Sequence, residues 1–284
     1  MNSAIRSVTH PTDFFELSMN AFVHALRVSV AAKAKLYILH VGDGNDEVAW
    51  GAFPHVRKTL ADWGLFDEKE PPAQLYRKLG IEVVKVEIEP QDPMKGLLHF
   101  LAWHESDLMV LATHGREGLT RWLKPSIAEA MSRHVATQNL FISPQSGGFV
   151  DRASGTIRLK RVLIPMDVHP PAAPALRAVQ EFCRILNGDT PEFQAVHIGS
   201  TPLETATASA PGSLSPVQLK SGNIVDGILQ AAADFGADLI AMATAGRHGV
   251  LDAVFGSTTE RVLRHAPCPV LAIPAIRERL ERSV

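Results

Sequence analysis

Apolar residues along this chain gather into short, nearly unbroken runs, and the runs alternate with stretches of helical periodicity. Such runs read as strands buried on both faces, and helical spacing between them reads as crossover helices, so the pattern predicts parallel α/β sheets. The alternation occurs twice. Ser7–Asp13 is a strand ending in Asp before the helical stretch Glu16–Ala32, and Arg161–Asp167 does the same before Ala172–Leu186. Lys35–Val41 matches Glu192–Ile198, each closing on an apolar-His-apolar triplet. Ser106–Gly115 matches Ala237–Gly246, and each copy ends with an Arg-His helix and a last strand, Asn139–Pro144 or Pro269–Pro274.

Two copies predict two domains, 1–146 and 158–276, with a linker at 147–157 and a charged tail at 277–284. The junction QSGGFVDRASGT has the Gly, Ser and charge content of an exposed linker. The first copy carries an insertion, Gly42–Gly80, with helices predicted in Ala52–Trp63 and Pro72–Leu79 before a strand at Glu82–Ile88. The second has only Gly199–Ser215, a loop composition, before a short strand around Pro216–Lys220.

The stretch Ala243–Pro274 joins a buried strand, a glycine loop and a helix start. Gly246 and Gly249 follow the strand, and Gly256-Ser257-Thr258 opens the helix. First-turn amides lack intrahelical partners and lie at the positive end of the helix dipole, which suits an anion such as phosphate. Ser257 with Glu260 three residues later also forms a capping box, so the residues alone leave both readings open. Right-handed crossovers place the ends of the first and fourth strands side by side where strand order reverses, the usual ligand position in open α/β sheets. Asp13 or Asp167 then stands at one strand mouth and the glycine loop at the other.

A net charge of -2 gives no electrostatic case for nucleic acid or an anionic membrane. Cys183 and Cys268 are far apart and outside any metal-binding spacing, which predicts a reducing compartment, no zinc site and a cytoplasmic location. The twelve histidines are scattered. With no Walker lysine, paired metal carboxylates or nucleophile-base grouping, no catalytic residue is expected and the chain reads as a non-enzyme.

Pro11-Thr12-Asp13-Phe14, Pro165-Met166-Asp167 and the closing run Gly256–Val270 resemble the universal stress protein family in a tandem form. That resemblance implies two flavodoxin-like (adenine nucleotide alpha hydrolase-like) domains, each with a five-stranded parallel sheet flanked by helices. It also implies ATP or another adenine nucleotide, with or without Mg2+, held between the loop and the first strand, in stress response or signalling. In the second copy Gly246, Arg247, Gly249, Gly256, Ser257 and Thr258 fit the phosphate loop, while Ala243 replaces its first glycine. Pro165, Met166 and Asp167 match the adenine side, and Val196 the position near the base. In the first copy Pro11, Thr12 and Asp13 match the adenine side, and Gly115, Arg116 and Ser126 the loop. There Pro125 replaces a glycine and removes an N–H donor, so binding is expected mainly in the second domain. The resemblance further implies pairing of the two last strands within one chain, with a homodimer or an unidentified protein partner as further possibilities. The alternative is a degenerate scaffold that binds little nucleotide.

Overall fold

Ten strands pair edge to edge in one sheet, in the order β3-β2-β1-β4-β5-β10-β9-β6-β7-β8. The structure is a computed structural model and describes residues 5–14, 16, 18–41, 53–88, 93–113, 137–143, 147–167, 170, 173–187, 190–200, 214–244 and 256–274. The strands are β1 Ser7–Pro11, β2 Lys35–Val41, β3 Val83–Ile88, β4 Leu108–Ala112, β5 Gln138–Ile142, β6 Arg161–Pro165, β7 Glu192–Ile198, β8 Leu214–Lys220, β9 Leu239–Thr244 and β10 Val270–Pro274. The helices among the described residues are α1 Ser18–Ala32, α2 Val56–Asp62, α3 Gln74–Leu79, α4 Pro93–Trp103, α5 Ala173–Asn187, α6 Ile224–Phe235 and α7 Gly256–His265.

The sheet is two parallel five-stranded halves of the same order. β1 lies between β2 and β4, and β6 lies between β7 and β9. The halves join where β5 and β10 run antiparallel, with Phe141 opposite Val270 and Leu140 opposite Leu271. The strand interiors are apolar because both faces are covered. One face carries α1 and α5 over a core containing Phe22, Leu26, Val179 and Phe182. The other carries α4, α6 and α7 over a core containing Phe100, Ile228 and Val262. Helix ends follow local chemistry: Asn223 Oδ1 accepts the amides of Val225 and Asp226 to start α6, and Gly236 stops it at φ 61.

The repeat extends to the amino edge of each half. Asp107 Oδ2 accepts the amides of Arg6 and Ser7 at 2.8 and 3.0 Å, and Asp238 Oδ2 accepts those of Lys160 and Arg161 at 2.8 and 2.9 Å. These aspartates tie the start of β4 or β9 to the start of the first strand of their half. They lie at the opposite edge from the strand mouths.

Two sequence expectations change. The opening strand ends at Pro11, so Thr12 and Asp13 lead into α1, which starts at Ser18. The junction is anchored and partly buried, where composition suits an exposed linker. Phe149 and Val150 are buried, Val150 bridges Ile157, and Arg158 N donates to the carbonyl of Phe149. Two apolar side chains in a polar stretch were enough to draw it between the halves.

Candidate functional site

In parallel strands the carboxyl ends share one edge, and the reversal of order falls between β1 and β4 and again between β6 and β9. In the second half the β6 mouth is built from Pro165, Met166 and Asp167. Met166 N donates to the carbonyl of Val196 at 2.8 Å, extending the β6–β7 ladder by one residue. His197 Nδ1 lies 3.0 Å from the carbonyl of Met166, which fixes that nitrogen as the protonated donor. Gly199 leaves room for this ring: a Cβ there would come within 2.4 Å of His197 Nε2. Met166 is buried while Asp167 is exposed, so a rigid, doubly bonded backbone presents a carboxylate at the mouth.

Beside it β9 ends at Ala243 and Thr244, with Thr244 buried. α7 connects β9 to β10, which are parallel, so the crossover places the start of α7 at the same carboxyl edge. Helix α7 begins at Gly256, which puts Ser257 and Thr258 in its first turn. Glu260 is occupied by Arg264, whose Nη2 donates to it at 2.7 Å one turn along. That pair leaves the second carboxylate oxygen of Glu260 uncommitted, so the capping-box and anion-binding readings both stand. Of the expected phosphate-loop residues, Gly246, Arg247 and Gly249 lie outside the described residues, as do Gly115, Arg116, Ser126 and Pro125 in the first half.

Val196, the residue expected near the base, buries its side chain in the core beneath α6, with Ile198 and Ile228, while its carbonyl accepts from Met166 N at the mouth. Strand side chains alternate faces, so the neighbouring His197 is the β7 side chain bonded to that segment. The apolar-His-apolar triplets were the signal for it.

The first half repeats this backbone with different occupants. Thr12 N donates to the carbonyl of Leu39 at 2.8 Å, and His40 Nδ1 lies 3.0 Å from the carbonyl of Thr12. Asp13, in place of an exposed carboxylate, accepts a hydrogen bond from Ser18 Oγ at the start of α1. Phe14 adopts φ 63, uncommon for a residue with a side chain, and lays its ring on His40 with centroids 4.0 Å apart. Phe53, from the insertion, meets Phe14 edge-on at 4.9 Å and is fully buried. Lys85 Nζ sits 5.5 Å from the Phe53 ring. Aromatic side chains of the chain itself thus cover the mouth of β1 and β2.

The chemistry of the two mouths differs accordingly. Asp167 with the first turn of α7 offers an acceptor on one side and amide donors on the other, a set that fits an adenine ring and an anionic tail. The described residues contain no group of three or more metal-ligating side chains and no helix long and apolar enough to cross a membrane. Burial pushes both thiols, Cys183 and Cys268, up to about 12, which favours the protonated thiol.

Comparison with known proteins gives a consistent result. The model of the universal stress protein family matches residues 4–140 and 184–274. The second match starts inside α5, and β6 with Met166 and Asp167 lies before it. A universal stress protein of Methanocaldococcus jannaschii is 25% identical over 145 residues, covering 48% of this chain and 84% of that protein. Over nearly the full length, the crystal structure of a universal stress protein from Archaeoglobus fulgidus DSM 4304 superposes with TM-score 0.61 at 17% identity, covering 96% of this chain and 97% of that one. A putative universal stress protein from Pseudomonas aeruginosa UCBPP-PA14 gives TM-score 0.62 at 17% identity, with 95% and 94% covered.

Proposed function

Because the chain belongs to the universal stress protein family, we propose that it is a tandem member whose second half binds an adenine nucleotide and whose first half does not. The observation that carries this reading is the contrast between the two mouths. Asp167 is exposed beside a backbone held by His197, whereas in the first half Phe14 and Phe53 pack with His40 over the mouth. In the second half Asp167 accepts from the adenine side and the amides of Gly256, Ser257 and Thr258 face the phosphates, with Gly246, Arg247 and Gly249 completing the loop. The protein acts as a binding module in stress response or signalling, with ATP hydrolysis no more than slow and incidental.

Native mass spectrometry of the gently purified full chain tests this. One adenine nucleotide per chain supports the reading, and two per chain or rapid hydrolysis of added ATP contradicts it. A chain that carries none and takes up none on addition of ATP, ADP or AMP leaves the scaffold reading in its place.

A further inference from the structure

Residues 149–158 form a small hairpin between the halves, and its anchor is a histidine. Asp151 N donates to the carbonyl of Thr156, Gly155 N to the carbonyl of Asp151, and Arg158 N to that of Phe149. Buried or half-buried side chains of the first half grip the hairpin, and Arg152 adds an ion pair to Glu16 at its surface. Arg27 Nε donates to the Gly155 carbonyl at 3.0 Å, and Trp63 Nε1 donates to the Arg152 carbonyl at 3.0 Å. His24, fully buried on α1, takes the amides of both Phe149 and Val150 on Nε2, at 2.9 and 3.1 Å. On its far side Nδ1 donates to the Asn20 carbonyl at 2.6 Å. Phe149 then reaches the second half, with its ring 4.6 Å from His24 and 6.3 Å from Phe182 of α5.

We propose that this hairpin is an acid-released latch between the two halves, with His24 as its pin. The geometry sets the chemistry. Two N–H groups converge on Nε2, so the pin works only while that nitrogen keeps its lone pair. A proton there places a third donor against two others; Nδ1 keeps its bond to the Asn20 carbonyl, but the new Nε2 proton faces only donors. Burial already holds His24 down at about 4, against the ordinary 6.5. The ionic groups around it are committed elsewhere. Arg27 is on Gly155; Arg152 pairs with Glu16; Asp151 is bonded to Ser154 and Arg158; and on α5 Glu181 pairs with Arg184. The strands beneath α1 present Val8, Leu108, Val110, Leu140 and Ile142, and among the described residues the other titratable ring on this face is His10, whose Nδ1 is bonded to the carbonyl of Val110. Release exposes Phe149 and Val150 and loosens the α1–α5 seam, while the β5–β10 pairing remains.

The test uses hydrogen exchange of the full chain, followed at residues 147–158 and corrected to the intrinsic rate at each pH. Protection is expected at pH 7 and lost by at least about tenfold below about pH 4.5, with β5 and β10 still protected. His24→Gln supplies a donor and an acceptor without titrating and is expected to stay protected across the range. Gly148→Ala is expected to lose protection at every pH, because a Cβ there falls 2.1 Å from His24 Cε1 at φ 78. Loss at the same pH in wild type and His24→Gln overturns the latch. So does an NMR titration of wild type in which the His24 ring becomes charged while the hairpin amides stay protected, a readout that holds if the variants fail to fold.

Discussion

His197 Nδ1 donates to the carbonyl of Met166 at 3.0 Å, and through that bond a β7 side chain sets the backbone that presents Asp167. Removing it with His197→Ala leaves a buried carbonyl without its donor and lets the segment shift. A net loss of about 1–2 kcal/mol in positioning corresponds to roughly five- to thirtyfold weaker adenine-nucleotide binding. Gly199→Ala, whose Cβ meets the same ring, acts in the same direction. Calorimetric titration of both variants checks this, and unchanged affinity in both contradicts the role given to His197.

Phe53 fills the mouth of the first half, and its removal is expected to cost stability without creating a site. Phe53→Ala deletes a fully buried ring in contact with Phe14, which costs about 3–5 kcal/mol in chemical denaturation. ATP stoichiometry stays at one per chain, because the first loop carries Pro125 in place of a glycine. A second equivalent of ATP bound by the variant contradicts this.

Asp107 and Asp238 serve the fold rather than the ligand. Asp107→Ala strands the amides of Arg6 and Ser7, and Asp238→Ala those of Lys160 and Arg161. Each change is expected to lower stability by about 1–2 kcal/mol and to leave nucleotide affinity unaltered. Denaturant midpoints with parallel ATP titrations separate the two effects.

Acid destabilises the protein through His10 as well as His24. Burial is the main cause at both rings, holding each at about 4 against the ordinary 6.5. The unfolded chain takes up these protons first, so the folded state has its full advantage above about pH 6.5. It loses that advantage as pH falls toward 4, by on the order of 3 kcal/mol for each ring. Thermal melts across that window are expected to fall steeply, and His10→Leu to reduce the slope. A flat profile from pH 7 to 4 contradicts the assignment.

The duplicated architecture was legible because buried parallel strands read as apolar runs whatever their partners, and because the Asp-Leu and apolar-His-apolar strings recur at matching places. Finer features depended on which face a residue takes and on what arrives from elsewhere in the chain. Val196 and His197 are neighbours on opposite faces, so identifying the strand did not identify the side chain bonded to the β6 mouth. The contact of Phe14 with Phe53 joins segments distant in sequence and leaves no periodic trace. Phe149 and Val150 were hidden by the glycines and charges around them, and composition alone gave no sign that His24 would collect their amides.

The most direct measurement compares the two equivalent aspartates by titrating ATP into full-length Asp167→Asn and Asp13→Asn. A carboxylate that accepts from the ligand contributes about 1.5–3 kcal/mol, so Asp167→Asn is expected to weaken binding roughly ten- to over a hundredfold. Asp13→Asn is expected to leave affinity and the single-site stoichiometry unchanged. The reverse pattern, or equal loss in both variants, contradicts a nucleotide site confined to the second half.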